Sequence, residues 1–184
     1  MKKSLIILAS PSGGGKSTVA KHLIKTFSLS FSTSATTRPM RLGEVNGKDY
    51  YFYTRDEFLQ KVADDEFIEY EEIFGNLYGT LKSEIDKALI ENKKLIFDID
   101  VLGALNIKRL YPEHALLIFL SPPNLDILEK RLRSRMTESE VEIQTRIDRA
   151  EMEMAKAKFF DHIVINDVLE DTLIQAEQIV KENS

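Results

Sequence analysis

Apolar residues along the chain form short aliphatic runs, and each run is followed by a stretch in which apolar residues recur every three or four positions. The runs cover residues 4–9, 94–101, 114–120 and 161–166. A run of this length predicts a buried strand, and the spacing after it predicts an amphipathic helix. The repeated order of strand and helix predicts an α/β fold with a parallel sheet.

The region between the first two runs has a different pattern. Residues 29–34 alternate apolar and hydroxyl side chains, and residues 49–53 are densely aromatic. Both stretches predict strands. In the aromatic strand, alternation places Tyr50 and Phe52 on one face and the other two tyrosines on the opposite face. The other elements predicted here are a helix from a capping box at 54–57 to about residue 63, a strand over 67–74 and a helix over about 83–92.

Two arginine-bearing helices are predicted after the third aliphatic run. The first is capped by Asn124 and runs to about Arg133. A capping box formed by Thr137 and Glu140 predicts a second, long helix through about Lys158. Two such helices joined by a polar elbow can close over a bound phosphate chain as a lid.

The composition narrows the class of protein. With 184 residues and 43% hydrophobic composition, the chain can form one α/β core, and we expect a single compact unit. Cysteine is absent, which excludes disulfides and thiolate metal sites and fits a reducing cytoplasm. No apolar run is long enough for a membrane span or a signal peptide. The net charge of −5 argues against a nucleic-acid surface. We expect a cytoplasmic protein without membrane or nucleic-acid partners, either a monomer or a homodimer.

A glycine-rich segment follows the first predicted strand. Residues 10–18 read Ser-Pro-Ser-Gly-Gly-Gly-Lys-Ser-Thr, and consecutive glycines let backbone N–H groups turn inward around an anion. The helix that follows adds the partial positive charge of its N-terminus. Lys16 would reach the β- and γ-phosphates of a nucleotide, and the Ser17 hydroxyl would ligate Mg²⁺. Ser10 stands where the usual motif has glycine. The strand before the segment and the helix after it favour a phosphate-binding loop over a chance glycine-rich connection.

Charged side chains suggest a second anion site and an acidic pair. Arg38 and Arg41 flank Pro39 in a loop rich in hydroxyl residues, where two guanidinium groups can grip a dianionic phosphate. Asp98 and Asp100 are two apart, which predicts that they share one face of a buried strand. Because ligands bind beyond the carboxyl ends of parallel strands, we expect both carboxylates to face the phosphate-binding loop.

For two other polar residues, Glu69 and Asn166, the sequence leaves two interpretations open. Glu69 lies in the predicted strand over 67–74, where a solvated carboxylate is the default expectation from the residues alone. Asn166 ends the last predicted strand, where it can contact a base or ribose or serve a turn. The three histidines lack metal-ligand spacing, so we interpret them as structural.

These motifs together resemble those of guanylate kinases, enzymes that phosphorylate GMP from ATP, and the resemblance covers essentially the whole chain. Its most particular part is a hydroxyl-rich segment that ends in Arg38-Pro39 and precedes the strand Asp49-Tyr50-Tyr51-Phe52. The other matching stretches are residues 11–17, 74–80, 99–103 and 164–167. The resemblance implies a P-loop NTPase three-layer core with a parallel sheet (1–33, 84–124 and 157–184), a small mixed α/β GMP-binding insertion (34–83) and a helical lid (125–156).

The resemblance also implies roles for individual residues. The catalytic residues would be Lys16, Arg38, Arg135 and Arg146. ATP would be bound by Pro11, Ser12, Gly13, Gly14, Gly15, Lys16, Ser17, Thr18, Arg131 and Asn166. The GMP phosphate would be held by Arg38, Arg41, Tyr50 and Tyr78, and the guanine would be read by Ser34, Glu69, Thr80 and Asp98. Mg²⁺ would be held by Ser17 and Asp100, in part through water.

The chemistry of guanine agrees with a carboxylate reader. Guanine presents N1–H and N2–H₂ as adjacent donors, which one carboxylate can accept, whereas adenine offers no such pair. A site built around Glu69 would reject AMP by roughly 10⁴-fold. Three residues depart from the family pattern. Ser10 replaces a small residue in the loop, Leu102 replaces a glutamine and so removes a polar contact there, and Met136 replaces the glycine after Arg135, which predicts a stiffer or differently angled lid elbow.

Two alternatives stay open at this point. The chain could phosphorylate another nucleotide or a sugar phosphate on the same scaffold, although Glu69, Thr80 and Arg38 argue against this. It could also be a binding module that has lost catalysis, although the Lys16 loop and the arginines that catalysis needs are present.

Overall fold

The computed structural model describes residues 2–73, 75–134 and 139–184, and the chain divides into two compact units. Unit 1 comprises Met1–Leu29 and Ile96–Ser184, and unit 2 comprises Ser30–Leu95. Each unit has its own cluster of buried apolar side chains, one around Leu8 and Leu23 and the other around Phe58. The predicted insertion over 34–83 lies within unit 2.

Nine strands and seven helices are present among the described residues. The strands are β1 (Leu5–Ala9), β2 (Ser30–Phe31), β3 (Ala35–Thr36), β4 (Tyr51–Phe52), β5 (Phe67–Ile73), β6 (Asn76–Leu81), β7 (Leu95–Asp98), β8 (Ala115–Ser121) and β9 (His162–Ile165). The helices are α1 (Lys16–Phe27), α2 (Arg55–Ala63), α3 (Lys82–Ile90), α4 (Val101–Leu110), α5 (Leu125–Arg133), α6 (Glu140–Ala155) and α7 (Leu169–Asn183), with a 3₁₀ turn at Ala157–Phe159.

A parallel sheet with the strand order β2-β7-β1-β8-β9 forms the core. The central strands β1 and β8 pair in parallel from Leu5 with Ala115 to Ala9 with Phe119, and β8 pairs in parallel with β9. Every residue of β1 and β8 is buried, as expected for strands covered on both faces. Helices α1 and α7 pack on one face, and α4 contacts β1 and β8. The predicted α/β fold with a parallel sheet is confirmed.

Unit 2 is a small mixed α/β unit with a sheet of order β4-β3-β6-β5. Its buried cluster contains Phe58 of α2, whose ring stacks on that of Phe67 with 4.3 Å between centroids. The predicted capping box is present, because Thr54 and Glu57 bond reciprocally at the start of α2. The predicted alternation of the aromatic residues is also present. Tyr51 and Tyr53 pack on the buried cluster, whereas Tyr50 contacts Phe52.

Three predicted elements differ from the structure. Of the strand predicted over 29–34, only β2 (Ser30–Phe31) forms, where the Ser30 N–H donates to the Lys94 carbonyl, and β3 begins after it at Ala35 and pairs with β4 and β6. The aromatic strand shrinks to β4, because residues 45–50 form turns closed by their own backbone hydrogen bonds. Helix α6 is capped by Ser139 with Glu142. The predicted capping residue Thr137 lies outside the described residues.

Unit 2 depends on Phe58, which is fully buried. We expect Phe58→Ala to lower the free energy of unfolding by about 3–5 kcal/mol, because it removes a ring and leaves a cavity. The neighbouring Leu59 is 44% exposed, so Leu59→Ala is the matched control and should cost about 1 kcal/mol or less. Urea unfolding followed by circular dichroism measures both variants. Equal losses in the two variants would contradict the assignment of Phe58 as the centre of the unit 2 core.

Candidate active site

The glycine-rich segment forms a tight loop between β1 and α1. Gly13 and Gly15 have φ angles of 90° and 88°, a left-handed conformation that favours glycine. The Gly14 N–H donates to the Pro11 carbonyl at 2.9 Å, and α1 begins at Lys16. The predicted order of strand, loop and helix is therefore confirmed.

Ser10 fits this loop without disturbing it. Its side chain is buried and donates to the carbonyl of Pro11 at 2.9 Å. A Cβ atom on Gly14 would lie 2.5 Å from the Ser10 hydroxyl oxygen. Ser10 therefore fills the space beside Gly14, and Gly14 must lack a side chain for this reason.

Lys16, Ser17 and Asp98 form a polar cluster at the start of α1. The Lys16 Nζ donates to the Ser10 carbonyl at 3.1 Å and lies 3.6 Å from Asp98 Oδ1. The Ser17 hydroxyl donates to Asp98 Oδ2 at 3.0 Å. A cation, a hydroxyl and a carboxylate thus lie together at the loop that the glycines shape.

Asp98 and Asp100, which the family resemblance assigns to guanine and to Mg²⁺ respectively, lie in different surroundings. The expected shared face requires a strand through both residues, but β7 ends at Asp98. Asp100 instead caps α4 by accepting from the Gly103 N–H at 2.7 Å, and its other oxygen lies 3.5 Å from Arg149 Nη2. Asp98 therefore contacts the Ser17 hydroxyl, and Asp100 holds a helix end.

Helices α5 and α6 bring arginines to the loop. They pack through Leu128, Leu132 and Ala150, and a Cβ atom on Gly13 would lie 3.2 Å from side-chain atoms of both leucines. Arg146 of α6 donates to the Ser12 hydroxyl in the loop. Arg135 and Met136 lie outside the described residues.

A buried carboxylate on α6 holds a further arginine. Glu153 is 7% exposed and accepts from Arg149 Nε at 2.9 Å. Burial raises the pKa of Glu153, and the neighbouring Arg149 opposes that shift. Arg149 thus links Glu153 to Asp100, and this link holds α6 beside the start of α4.

Asn166 supports the loop, a role that its position in the sequence did not predict. Its Nδ2 donates to the Gly14 carbonyl at 2.8 Å, and its Oδ1 accepts from the Thr172 hydroxyl at 3.0 Å. A Cβ atom on Gly15 would lie 2.3 Å from that Nδ2. Arg131 in turn donates to the Asn166 carbonyl at 2.8 Å. Asn166 therefore contacts the backbone of the loop, and Arg131 contacts Asn166.

Unit 2 holds a second cluster, centred on Arg38. The guanidinium carbon of Arg38 lies 5.5 Å from the ring centre of Tyr50 and 5.6 Å from that of Phe52. Tyr50 in turn meets Tyr78 edge to face at 6.2 Å. The structure therefore brings together Arg38, Tyr50 and Tyr78, as the predicted anion site requires.

The partner of Arg38 is Glu44, a residue that the sequence pattern did not single out. Arg38 Nη2 donates to Glu44 Oε1 at 2.7 Å and Nη1 donates to Oε2 at 3.1 Å. The same carboxylate accepts from the backbone N–H of Arg41 at 2.7 Å. The bond from Arg38 holds the pKa of Glu44 below its usual value. The spacing of six residues inside a loop gives no periodic signal that could have revealed this pair.

Glu69 and Thr80 face each other across the sheet of unit 2. They are register partners of the antiparallel strands β5 and β6, and the Thr80 hydroxyl donates to Glu69 Oε1 at 2.6 Å. Thr80 is fully buried and Glu69 is half-buried. Glu69 is therefore hydrogen-bonded to a buried partner and only partly exposed to solvent. Ser34, also assigned to the base, contributes its carbonyl to a backbone bond from Tyr51 at 2.9 Å.

No group of three or more histidine, aspartate and glutamate side chains could hold a metal ion in the part of the chain that the structure describes. No helix within the same residues has the length and apolar character needed to cross a membrane.

Comparisons with known proteins agree on one family. The sequence model of the guanylate kinase family matches residues 2–183. A guanylate kinase of Chlorobaculum tepidum is 49% identical over 170 residues, which cover 92% of this chain and 87% of that protein. A guanylate kinase of Thermotoga maritima is 40% identical over 182 residues, which cover 98% of this chain and 87% of that protein.

Solved structures agree with this result. The guanylate kinase from Anaplasma phagocytophilum is 29% identical with a TM-score of 0.73, and the match covers 98% of this chain and 86% of that one. A shikimate kinase from Bacteroides thetaiotaomicron, 18% identical with a TM-score of 0.52 over 97% of this chain and 94% of its own, shares the fold alone. By its family model over residues 2–183 and by its relatives at 40% and 49% identity, the chain belongs to the guanylate kinase family.

Proposed function

We propose that the chain catalyses the ATP-dependent phosphorylation of GMP to GDP, with ATP bound by unit 1 and GMP bound by unit 2. The reaction follows from membership of the guanylate kinase family. The observation that carries the assignment of residues is the presence of two separate anion-binding arrangements, the Lys16 loop and the Arg38 cluster.

Unit 1 supplies the groups that bind and neutralise the ATP phosphates. The backbone N–H groups of the loop over 11–18, together with the helix N-terminus, surround the β-phosphate, and Lys16 reaches the β- and γ-phosphates. Arg146 already contacts Ser12 of the loop, and Arg131 lies beside it through Asn166. Arg135 joins them by its match to the family pattern. Asn166 acts by fixing Gly14 and Gly15.

Ser17 and Asp98 fit Mg²⁺ better than Ser17 and Asp100. Mg²⁺ prefers hard oxygen ligands and keeps several waters, so one hydroxyl and one carboxylate beside a phosphate chain suffice. Ser17 and Asp98 lie 3.0 Å apart at the loop, whereas Asp100 is engaged with α4 and Arg149. The bound ion would supply positive charge to the phosphate oxygens. Within this chain, Lys16 and the lid arginines supply the rest of that charge.

Unit 2 supplies the groups that hold GMP. Arg38 and Arg41 bind its phosphate through charge-assisted hydrogen bonds, and the hydroxyls of Tyr50 and Tyr78 add neutral donors. Glu69 accepts guanine N1–H and N2–H₂, and the buried Thr80 hydroxyl fixes the carboxylate for this task. Ser34 completes the base site by its match to the family pattern.

The reaction needs positioning and charge more than proton transfer. A phosphate oxygen of GMP attacks the γ-phosphorus of ATP in line, the bond to the β,γ-bridging oxygen breaks, and ADP leaves with the electron pair. The attacking oxygen is already ionised at neutral pH, so no strong general base is required. Lys16 and the arginines instead neutralise charge that builds up on the transferring group and the leaving group.

The setting that we propose follows from the substrates and the composition. The enzyme works in purine nucleotide metabolism in the cytoplasm, as a monomer or homodimer, with small-molecule substrates and without nucleic-acid or membrane partners. The cysteine-free sequence and the net charge of −5 support this setting.

An acceptor panel tests the proposed function. ADP formation from ATP and Mg²⁺ is measured with GMP, AMP, CMP, UMP or shikimate as acceptor, and without any acceptor. We expect turnover with GMP at least roughly 10⁴-fold above that with AMP. Faster turnover with another acceptor would overturn the substrate assignment, and the absence of turnover with every acceptor would contradict the proposed reaction.

A further inference from the structure

We propose that Glu44 is a positioning residue for the GMP phosphate, because it orients the Arg38 guanidinium and fixes the backbone of Arg41. This inference rests on the proposed role of Arg38 and Arg41 in binding that phosphate. Glu44 itself carries a negative charge and would repel the phosphate, so it acts through the arginines and not by contact with the substrate.

The Glu44 carboxylate joins both arginines. It accepts two bonds from Arg38, of 2.7 and 3.1 Å, and one from the Arg41 backbone N–H, of 2.7 Å. Both partners of the ion pair are partly buried, with side-chain exposures of 12% for Arg38 and 20% for Glu44. A bidentate pair of this kind fixes the plane of the guanidinium as well as its position.

The ion pair with Glu44 leaves one edge of the Arg38 guanidinium, formed by Nε and Nη2, able to donate hydrogen bonds to a phosphate. Its Nη1 uses both hydrogens, one for Glu44 and one for the Pro39 carbonyl at 2.8 Å, and Nη2 uses one for Glu44. Among the described residues, neither Nε nor the second Nη2 hydrogen has a hydrogen-bond partner. These two donors form the side-on fork of a guanidinium, whose spacing matches two phosphate oxygens.

The arrangement lowers the entropic cost of binding. A free arginine side chain loses several rotatable bonds when it grips a phosphate. Arg38 is held before GMP arrives by Glu44 and by the faces of Tyr50 and Phe52. Part of the conformational entropy of the Arg38 side chain is therefore already lost on folding, so less is lost when GMP binds, which favours binding.

A carboxylate on a phosphate-binding arginine could act in the opposite way, as an internal competitor that GMP must displace. The two roles predict opposite signs for the effect of removing Glu44. Loss of a positioning residue raises KM for GMP, whereas loss of a competitor lowers it. Because ATP is assigned to unit 1, KM for ATP should not change in either case.

The test compares Glu44→Gln and Glu44→Ala with wild type by steady-state kinetics. We expect KM for GMP to rise roughly tenfold in both variants, because a charge-assisted bond to Arg38 is lost. KM for ATP should stay within about twofold, since unit 1 is unaffected and serves as a check on folding. The matched control is Glu72→Gln, which removes the partner of Arg55 in the same unit, an exposed ion pair of 2.9 Å. An unchanged or lowered KM for GMP in the Glu44 variants would overturn the inference.

A double-mutant cycle with Arg38→Ala separates this inference from the proposed function. Because Glu44 acts partly through Arg38, Glu44→Ala should raise KM for GMP by a smaller factor in the Arg38→Ala background than in wild type, and the effect that remains is the share that acts through Arg41. Fully additive effects would show that Glu44 does not act through Arg38 and would overturn the inference. A normal KM for GMP in Arg38→Ala would instead contradict the proposed role of Arg38. A defect in Arg38→Ala with none in the Glu44 variants would contradict only the role of Glu44.

Discussion

Lys16→Met is expected to lower kcat for GMP phosphorylation by roughly 10³-fold, because the loop then loses the only side-chain cation that it carries itself. Lys16 begins α1 and points its ammonium group to the Ser10 carbonyl at 3.1 Å and to Asp98 at 3.6 Å. This position is fixed before ATP arrives, so the group needs little reorganisation during transfer. Methionine keeps most of the apolar stem of the side chain and removes the charge and the N–H donors.

The control for this prediction lies on the same helix. Lys21 is an exposed lysine of α1, and Lys21→Met should leave kcat within about twofold of wild type. The measurement is the initial rate of ADP formation at saturating ATP and GMP. A kcat for Lys16→Met within tenfold of wild type would contradict the assignment of Lys16 to the transferring phosphoryl group.

Glu69→Gln is expected to reduce the preference for GMP over AMP by roughly 10²-fold or more. Guanine offers two adjacent donors, and the carboxylate of Glu69 offers two acceptors that match them. Glutamine at the same place presents one donor and one acceptor. That pattern leaves one guanine donor unpaired and fits the N1 acceptor and N6 donor of adenine.

The structure suits this test because the strand pairing stays intact. Glu69 and Thr80 are register partners, and glutamine keeps a carbonyl oxygen that can accept the Thr80 hydroxyl. The ratio of kcat/KM for GMP to that for AMP is measured in wild type, Glu69→Gln and the control Glu72→Gln. An unchanged ratio in Glu69→Gln would show that another group reads the base.

Local signals in the sequence predicted those parts of the fold that local interactions determine. The capping residues Thr54 and Glu57 are three apart, and they start α2 as expected. The glycines at 13–15 end the apolar run of β1, and the loop forms where they stand. In both cases neighbours in sequence are also neighbours in space.

Prediction failed where long-range packing decides the local structure. The total apolar content does not show how buried side chains divide into separate clusters, so the insertion over 34–83 was implied only by the family resemblance. The spacing of Asp98 and Asp100 predicts one face only while the strand continues. The end of β7 is set by pairing with strands distant in sequence, and α4 then begins with Asp100 as its cap.

The sequence also did not predict contacts between side chains in irregular segments. Glu44 lies in a loop without periodicity, so no pattern linked it to Arg38. Asn166 holds Gly14 across more than 150 positions in the chain, a distance over which the sequence carries no signal. Glu44 and Asn166 each hold a predicted site residue in place. Sequence motifs therefore revealed the site residues but not the residues that position them.

Equilibrium binding of GMP and of a non-hydrolysable ATP analogue with Mg²⁺, measured by calorimetry on wild type, Lys16→Met and Arg38→Ala, tests the division of the substrates between the two units most directly. We expect a crossed result. Lys16→Met should weaken binding of the ATP analogue at least roughly tenfold and leave GMP binding unchanged, and Arg38→Ala should do the reverse. A variant that weakens the other unit's ligand as much as its own would contradict the assignment of ATP to unit 1 and GMP to unit 2.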